Sequence, residues 1–242
     1  MKKLFVCLLM CLSTLVFSLT PEEILYKSDM VRGAGEGFSV DIKINDFVGS
    51  QLKGSMEITT HIQKVIQNQE MKSIVKIHSP AVSRGQIILK AGSIMWLYSP
   101  NSRNIIRIPA QQRLLGNISN GDVSSVNYRF DYTIVNHSKN ENFYYLEMER
   151  KNPQAIYPVI HYWIDKETFE PQKAEFYTNS GRLLKIMEFI KYKPAMGANR
   201  PYKVVITDGL NREKVSECYY TNYSLENLAD KFFQKAFLKY VP

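Results

Sequence analysis

Phe38-Ser39-Val40-Asp41-Ile42-Lys43-Ile44-Asn45 alternates apolar and polar side chains without a break. Successive side chains of a strand point to opposite faces, so this period of two predicts a strand with one dry face. Upstream, Thr20-Pro21-Glu22-Glu23 predicts a helix start: Thr20 caps, Pro21 suits the first helical position and Glu23 completes a capping box. That helix should stop at Gly33, lay Ile24, Leu25, Met30 and Val31 on the sheet, and lead through the glycines at 33, 35 and 37 into the strand.

Downstream the alternation recurs at hairpin spacing. After a turn at Gly49-Ser50, one strand carries Leu52, Met56, Ile58 and Ile62, and another runs from Met71 to Ile77 after a polar Gln67-Asn68-Gln69 link. Further strands are expected at Gln86–Lys90, Ser93–Tyr98 and Asn104–Ile108. They resume at Phe130–Asn136, Phe143–Glu149, Val159–Ile164, Gln172–Tyr177, Leu183–Tyr192, Tyr202–Thr207 and Val215–Tyr223, with hairpin turns at Asn179-Ser180-Gly181 and Asp208-Gly209. A last short helix near Leu228–Phe233 leads to an aromatic tail, Phe237 to Tyr240. Between the two runs of strands lies one interruption, Pro109–Asn127. There Leu114, Leu115 and Ile118 stand at helical spacing within Ala110–Ile118, a second helical turn is expected near Val123–Asn127, and Asn120-Gly121-Asp122 separates them.

The fold expected is therefore mainly β, a curved antiparallel sheet, since more than about ten strands rarely stay flat and open. Its helices have too few apolar positions to fill the concave side, which favours a lined apolar cavity. Val40, Ile42, Ile44, Met56 and Ile58 are the expected lining, joined by Trp96 and Tyr98, which share a strand face. Methionines, including Met56, Met95, Met148 and Met187, suit a pocket that adapts its shape and equally suit a gap-filled core.

The first 18 residues read as an export signal: Lys2 and Lys3 precede an apolar run from Leu4 to Phe17, with cleavage expected after Ser18. Cys11 raises the alternative of a retained, acylated cysteine, against which the bulky Met10 before it argues. Residues 19–242 then form one domain, with no repeat or low-complexity linker to divide them. Cys218 is the single cysteine of that span, so no internal disulfide staples it. The net charge of +8 falls to +6 when Lys2 and Lys3 leave. The surplus is scattered rather than blocked, which points away from nucleic acid and allows anionic headgroups or an acidic partner.

An enzyme needs a converging set of reactive groups. The chain has no HExxH, no paired cysteines, no GxSxG and no phosphate-cradling glycine loop, and His61, His78, His137 and His161 sit among polar strand neighbours. No metal and no cofactor is expected. A spatial set such as Ser55, His61 and Asp46 has no support from spacing.

The stretches Ser79-Pro80-Ala81, Arg84-Gly85, Met95-Trp96-Leu97-Tyr98-Ser99-Pro100, Ser102-Arg103, Arg107-Ile108, Gln112-Arg113-Leu114-Leu115-Gly116 and Ser119-Asn120-Gly121-Asp122 resemble the LolA-like outer-membrane lipoprotein-sorting proteins. So do Tyr162-Trp163-Ile164, Phe169-Glu170-Pro171, Lys173-Ala174-Glu175-Phe176-Tyr177, Ser180-Gly181 and Leu228-Ala229-Asp230-Lys231-Phe232-Phe233, which extends the resemblance over nearly the whole chain after the leader. The resemblance implies an unclosed barrel with a helical lid over an apolar cavity. It also implies a periplasmic carrier that takes acylated lipoproteins or related lipids from an inner-membrane donor complex to an outer-membrane acceptor. The alternatives are a binding module for another apolar ligand that works with a membrane exporter and, behind it, a lipid-modifying hydrolase.

Leu114, Leu115 and Ile118 become the expected lid. In the lipoprotein carrier an arginine on an early strand holds the lid shut, but the first two strands here offer Lys43 and Lys53 instead. Arg84, Arg103, Arg107 and Arg113 are the candidates for a latch or rim, with Asp122 as a partner, because guanidinium presents a planar fork of donors.

Overall fold

The computed structural model describes residues 19–33, 37–63, 71–124, 127–151, 153, 155–225 and 228–242. The leader with its Lys2, Lys3, Cys7 and Cys11, the cleavage point after Ser18, Gly35 and the Gln67-Asn68-Gln69 link lie outside the described residues.

Alternation produces the expected architecture. A first meander comprises β1 (Phe38–Val48), β2 (Gln51–Ile62), β3 (Lys72–Ser79), β4 (Ile87–Ala91), β5 (Ile94–Ser99) and β6 (Asn104–Ile108). After a small hairpin, β7 (Arg113–Leu115) and β8 (Ile118–Ser119), a second meander comprises β9 (Tyr132–Lys139), β10 (Phe143–Arg150), β11 (Val159–Asp165), β12 (Pro171–Tyr177), β13 (Leu183–Ala195), β14 (Ala198–Asp208) and β15 (Lys214–Leu225). Among the described residues thirteen strands make one antiparallel sheet, in the order β6-β5-β4-β3-β2-β1-β15-β14-β13-β12-β11-β10-β9, with β7 and β8 paired separately. The sheet is not closed into a barrel: β6 and β9 are its two edges.

Register aligns the apolar positions into rows across the concave face. Ile58 lies opposite Ile42, which lies opposite Tyr220; Met56, Ile44, Cys218, Val204 and Phe189 form a second row. A third runs Leu146, Tyr162, Ala174, Met187, Ile206, Ser216, Asp46 and Gly54, turning from apolar to polar along its length.

The first helix, α1 (Pro21–Val31), has the capping box expected: the Thr20 hydroxyl accepts from the Glu23 amide and the Glu23 carboxylate accepts from the Thr20 amide. It ends at Gly33, whose φ of +102° and whose ring contact with Phe38, 2.6 Å from a built Cβ, both demand glycine. Its buried face is Ile24, Leu25, Ser28 and Asp29, while Met30 and Val31 are half-buried, so two polar side chains point inward. The Ser28 hydroxyl pairs with the Tyr162 hydroxyl at 3.1 Å, and the Asp29 carboxylate accepts from the amides of Tyr128 and Arg129. Asp29 thereby caps α2 (Tyr128–Asp131), whose own N-cap, Asn127, makes no side-chain cap bond.

Two expectations are corrected here. Ala110–Ile118 is not a helix: Gly116 takes φ +54° and, with Asn117, turns the chain back as a two-residue hairpin loop, so Leu114 and Leu115 lie on a short strand. The strand expected from Phe130 begins at Tyr132, because Tyr128–Asp131 forms a helical turn capped by Asp29. The C-terminal segment forms two 3-10 helices, Asp230–Phe233 and Lys235–Tyr240, docked on the convex side of β3 to β5.

Candidate functional site

Because each meander ends on a different edge, the chain must return from β6 to β9 across the open side. Residues 109–124 and 127–131 are the described parts of that passage over the concave face. Their backbone is self-paired first: the Gly121 amide donates to the Ala110 carbonyl and the Asn120 amide to the Gln112 carbonyl. The rest of the segment is fastened to the sheet by polar groups rather than by strand pairing.

At the tip of the β7–β8 hairpin, the Asn117 amide donates to the Ser216 hydroxyl at 2.9 Å, and the Asn117 side chain donates to the carbonyls of Lys214 (2.8 Å) and Ile206 (3.2 Å). Ser216 in turn donates to Asp46 at 2.8 Å. A Cβ on Gly116 would stand 1.9 Å from the Asp46 carboxylate, so the approach is possible only without a side chain. Leu115 lies over Gly54 in the same way, 3.2 Å from a built Cβ. The tip thus lands where the third row of the sheet has become polar and small.

The base of the hairpin is held by Asp122. Its carboxylate accepts from the amide and hydroxyl of Ser119 (2.7 and 2.8 Å), from the Tyr157 hydroxyl (2.8 Å), and from the ammonium of Lys185 on β13. Lys185 also donates to the Asn117 carbonyl at 3.0 Å, so one lysine holds both ends of the β8 turn. Farther along, Thr60 and Ser73 donate to the carbonyls of Val123 and Ser124 at 3.1 and 2.9 Å.

Beneath lies an apolar cavity bounded by Phe38, Val40, Ile42, Ile62, Met187, Phe189 and Val204, with Arg32, Asp122 and Val123 on its crossover side. Its volume is about 50 Å³. Pockets for drug-sized ligands run to ~300–1,000 Å³, so this cavity in its closed form has no room for an acyl chain. Ile118 and Val123, both buried in the same core, occupy the space such a chain needs. Capacity therefore depends on displacing the crossover.

Val40, Ile42, Ile44, Met56 and Ile58 are all buried in the concave-face core, and Val40 and Ile42 border the cavity itself. Ile118 is buried, while Leu114 and Leu115 are half-buried against the core. Trp96 and Tyr98 are a correction: they share a face, but it is the convex one. There they pack with Ile74, Ile87, Leu89, Phe233 and Leu238 beneath the C-terminal segment. Their neighbours Met95 and Leu97 are the ones that face inward.

Three of the arginines also fall elsewhere. Arg84 donates to the His78 carbonyl from an exposed turn, Arg103 occupies a turn at φ 55°, and Arg107 is exposed near the β6 edge. Arg113, by contrast, is exposed on the hairpin itself and borders an outer cleft together with Asn117 and Lys185. Asp122 does have a cationic partner, but it is Lys185. The available signal was parity: Lys185 shares the inward face of an alternating strand with Met187 and Phe189, a position where a lysine needs a buried partner.

Arg32, at the end of α1, is another buried cation, its guanidinium 4.1 Å from the Tyr128 ring centroid and 3.7 Å from Asp29. Burial raises the Asp29 carboxyl to about 6, against the lowering effects of Arg32 and of the Arg129 and Tyr128 amides. Burial likewise pushes the Cys218 thiol far above its ordinary range, which makes it a packing residue. Ser55, His61 and Asp46 do not converge: Ser55 donates to Asn45, Asp46 accepts from Ser216, and six residues of strand, roughly 20 Å, separate Ser55 from His61. Among the described residues no cluster of three or more His, Cys, Asp or Glu side chains is placed to hold a metal ion.

An unclosed antiparallel sheet whose two edges are joined by a latched crossover above an apolar face defines the class of protein. A family model described only as "-like: Uncharacterized protein" matches residues 69–240. A LolA superfamily protein from Nitrosomonas europaea is 30% identical, with 91% of this chain and 100% of that one covered at a TM-score of 0.80. The chain belongs to the LolA superfamily. The same fold is found in a putative outer membrane lipoprotein-sorting protein domain from Vibrio parahaemolyticus (20% identity, 90% and 97% covered, TM-score 0.77). It is found also in a DUF1329 family protein from Desulfovibrio piger (17% identity, 90% and 97% covered, TM-score 0.74). No curated protein matches the chain.

Proposed function

We propose that residues 19–242 act in the periplasm as one unit that carries acyl chains, of lipoproteins or related lipids, between the concave face and a displaced crossover. The observation that carries this reading is the way residues 109–124 are fastened. They cover an apolar face, yet most of their anchors are side-chain hydrogen bonds and one ion pair that a rigid core would not need. Acyl chains leave a membrane at a cost near ~0.8 kcal/mol per methylene, so transit through water requires a surface that returns most of that. Val40, Ile42, Ile62, Met187, Phe189 and Val204 supply such a surface once uncovered. Because its polar anchors and the buried Ile118 and Val123 both favour the closed position, the cover reseals when the cargo leaves, and release toward an outer-membrane acceptor does not stall.

Extraction of the purified, exported protein followed by mass spectrometry of bound lipids tests the reading. Intact acylated species in stoichiometric amount support it. Their absence from wild type, together with no uptake of added lipid, contradicts it, and turnover of the lipid supports a hydrolase instead.

A further inference from the structure

We propose that the cleft beside the β7–β8 hairpin binds an anionic, phosphate-type group that replaces Asp122 as the counterion of Lys185. The proposal rests on the acyl-carrier reading and adds to it the chemistry of the cargo's polar end.

The cleft measures about 320 Å³ and is bordered by Arg113, Asn117, Tyr157, Lys185 and Asp208. Lys185 therefore has two aspects: its ammonium is paired inward with Asp122, and its side chain also borders this outer cleft. Arg113 is exposed on the hairpin and lines the same cleft, so two cations border one opening. The acid at the rim, Asp208, has its Oδ1 engaged by the amides of Leu210 and Asn211 at 2.9 and 2.8 Å, beside Lys214 and Arg113.

The decisive feature is which groups travel together when the cover lifts. Asp122 keeps the amide and hydroxyl of Ser119, three residues away on the same turn, and so leaves with its hydrogen bonds largely intact. Lys185 remains on β13 and loses both oxygens it donates to, the Asp122 carboxylate and the Asn117 carbonyl, because both belong to the crossover. Its other neighbours are the Tyr157 and Phe176 rings, 4.9 and 5.6 Å from the ammonium, and Asp208, its cross-strand partner on β14, whose Oδ1 already accepts from the amides of Leu210 and Asn211. A lysine left among aromatic rings and covered by acyl chains has lost its counterion, and this opposes opening unless the incoming molecule brings another. A phosphate oxygen does so with short charge-assisted hydrogen bonds, and Arg113 offers a second pair of donors at the mouth. Cargo with an anionic end thus opens the cover by exchange, whereas a neutral lipid must open it against an uncompensated ammonium.

The test compares two probes with one tail, monododecanoyl glycerol and the same molecule carrying a phosphate on its glycerol. Binding of each to the full chain is measured by calorimetry. The expected result is roughly five-fold or greater preference for the phosphate-bearing probe, falling toward unity in Arg113→Gln and in the charge-neutral pair Lys185→Met with Asp122→Asn. The readout is a ratio, so a variant that merely weakens folding moves both affinities together. Inorganic phosphate is added alone in a parallel arm while exchange of the 110–124 amides is followed. Faster exchange supports the site and identifies a free anion as sufficient; an effect of the phosphorylated lipid alone supports it with the headgroup as source. Equal affinities in wild type, or a preference that survives both variants, overturns the anion site and leaves the acyl carrier standing. Binding of neither lipid removes both.

Discussion

Lys185 on β13 and Asp122 on the crossover form a buried ion pair, with side chains 7% and 5% exposed, that ties the cover of the cavity to the middle of the second meander. Each charge has additional hydrogen-bond partners, as a buried pair requires if its attraction is to offset the loss of water.

Removing one partner leaves the other charge buried alone. Asp122→Ala is expected to lower unfolding free energy by about 3–5 kcal/mol, and the double variant Lys185→Met with Asp122→Asn by substantially less. Urea unfolding of Asp122→Asn, Lys185→Met and their double variant, read as a thermodynamic cycle, measures the coupling. Additive losses would show that the pair contributes nothing specific.

Gly116 joins a positive φ to a close approach. Alanine there must hold a left-handed conformation, costing about 1–3 kcal/mol, and its Cβ would displace the Asp46 carboxylate from Ser216. Gly116→Ala is expected to speed amide exchange across 110–124 while the strands of the sheet keep wild-type protection. Unchanged exchange would mean that the tip is not a fastening point.

The cavity wall makes a separate prediction. Val40 borders the closed cavity of about 50 Å³, so Val40→Phe overfills it at a cost of about 1–3 kcal/mol. Affinity for an acyl probe is expected to fall at least roughly tenfold while the amides of the strands keep wild-type protection. Retained affinity would place the acyl chain elsewhere.

Asp29 gives the fold a pH dependence of unusual sign. Burial raises its carboxyl from the ordinary 3.8 to about 6, so between those values the folded chain binds more protons than the unfolded one. The contribution to stability is present in full below pH 3.8 and is lost as pH rises through about 6. Glu175 and Glu217, held below their ordinary range by hydrogen bonds from Tyr177, Lys173, Lys203 and Tyr219 despite partial burial, act in the opposite direction. The comparison that isolates Asp29 is wild type against Asp29→Asn. The variant is expected to lose the downward component of the stability profile between pH 4 and 6, on the order of 1–3 kcal/mol, and an identical profile would refute the assignment.

Much of this architecture was legible in the sequence, for a simple physical reason. A half-buried strand announces itself by alternation, and Phe38 to Asn45 does so perfectly; Thr20 and Glu23 announce a helix start by their spacing. The crossover was not legible as a hairpin, because Leu114, Leu115 and Ile118 fit a helical face as well as a short hairpin closed by Gly116-Asn117. Trp96 and Tyr98 were misplaced because β4 and β5 are apolar on both faces, one toward the cavity and one beneath the C-terminal segment, and period alone cannot say which is which. Arg84, Arg103, Arg107 and Arg113 are all exposed, at turns or on short strands, where exposure is ordinary. An inward lysine within the apolar alternation of β13 carried the signal.

The most direct measurement of the central claim is amide exchange of the full chain with and without a triacylated lipopeptide. The account predicts faster exchange within 110–124 on binding, with the amides of β1, β14 and β15 remaining protected. Stoichiometric binding with residues 110–124 as protected as before would contradict a displaced cover, and acyl chains would then have to lie somewhere other than on this concave face.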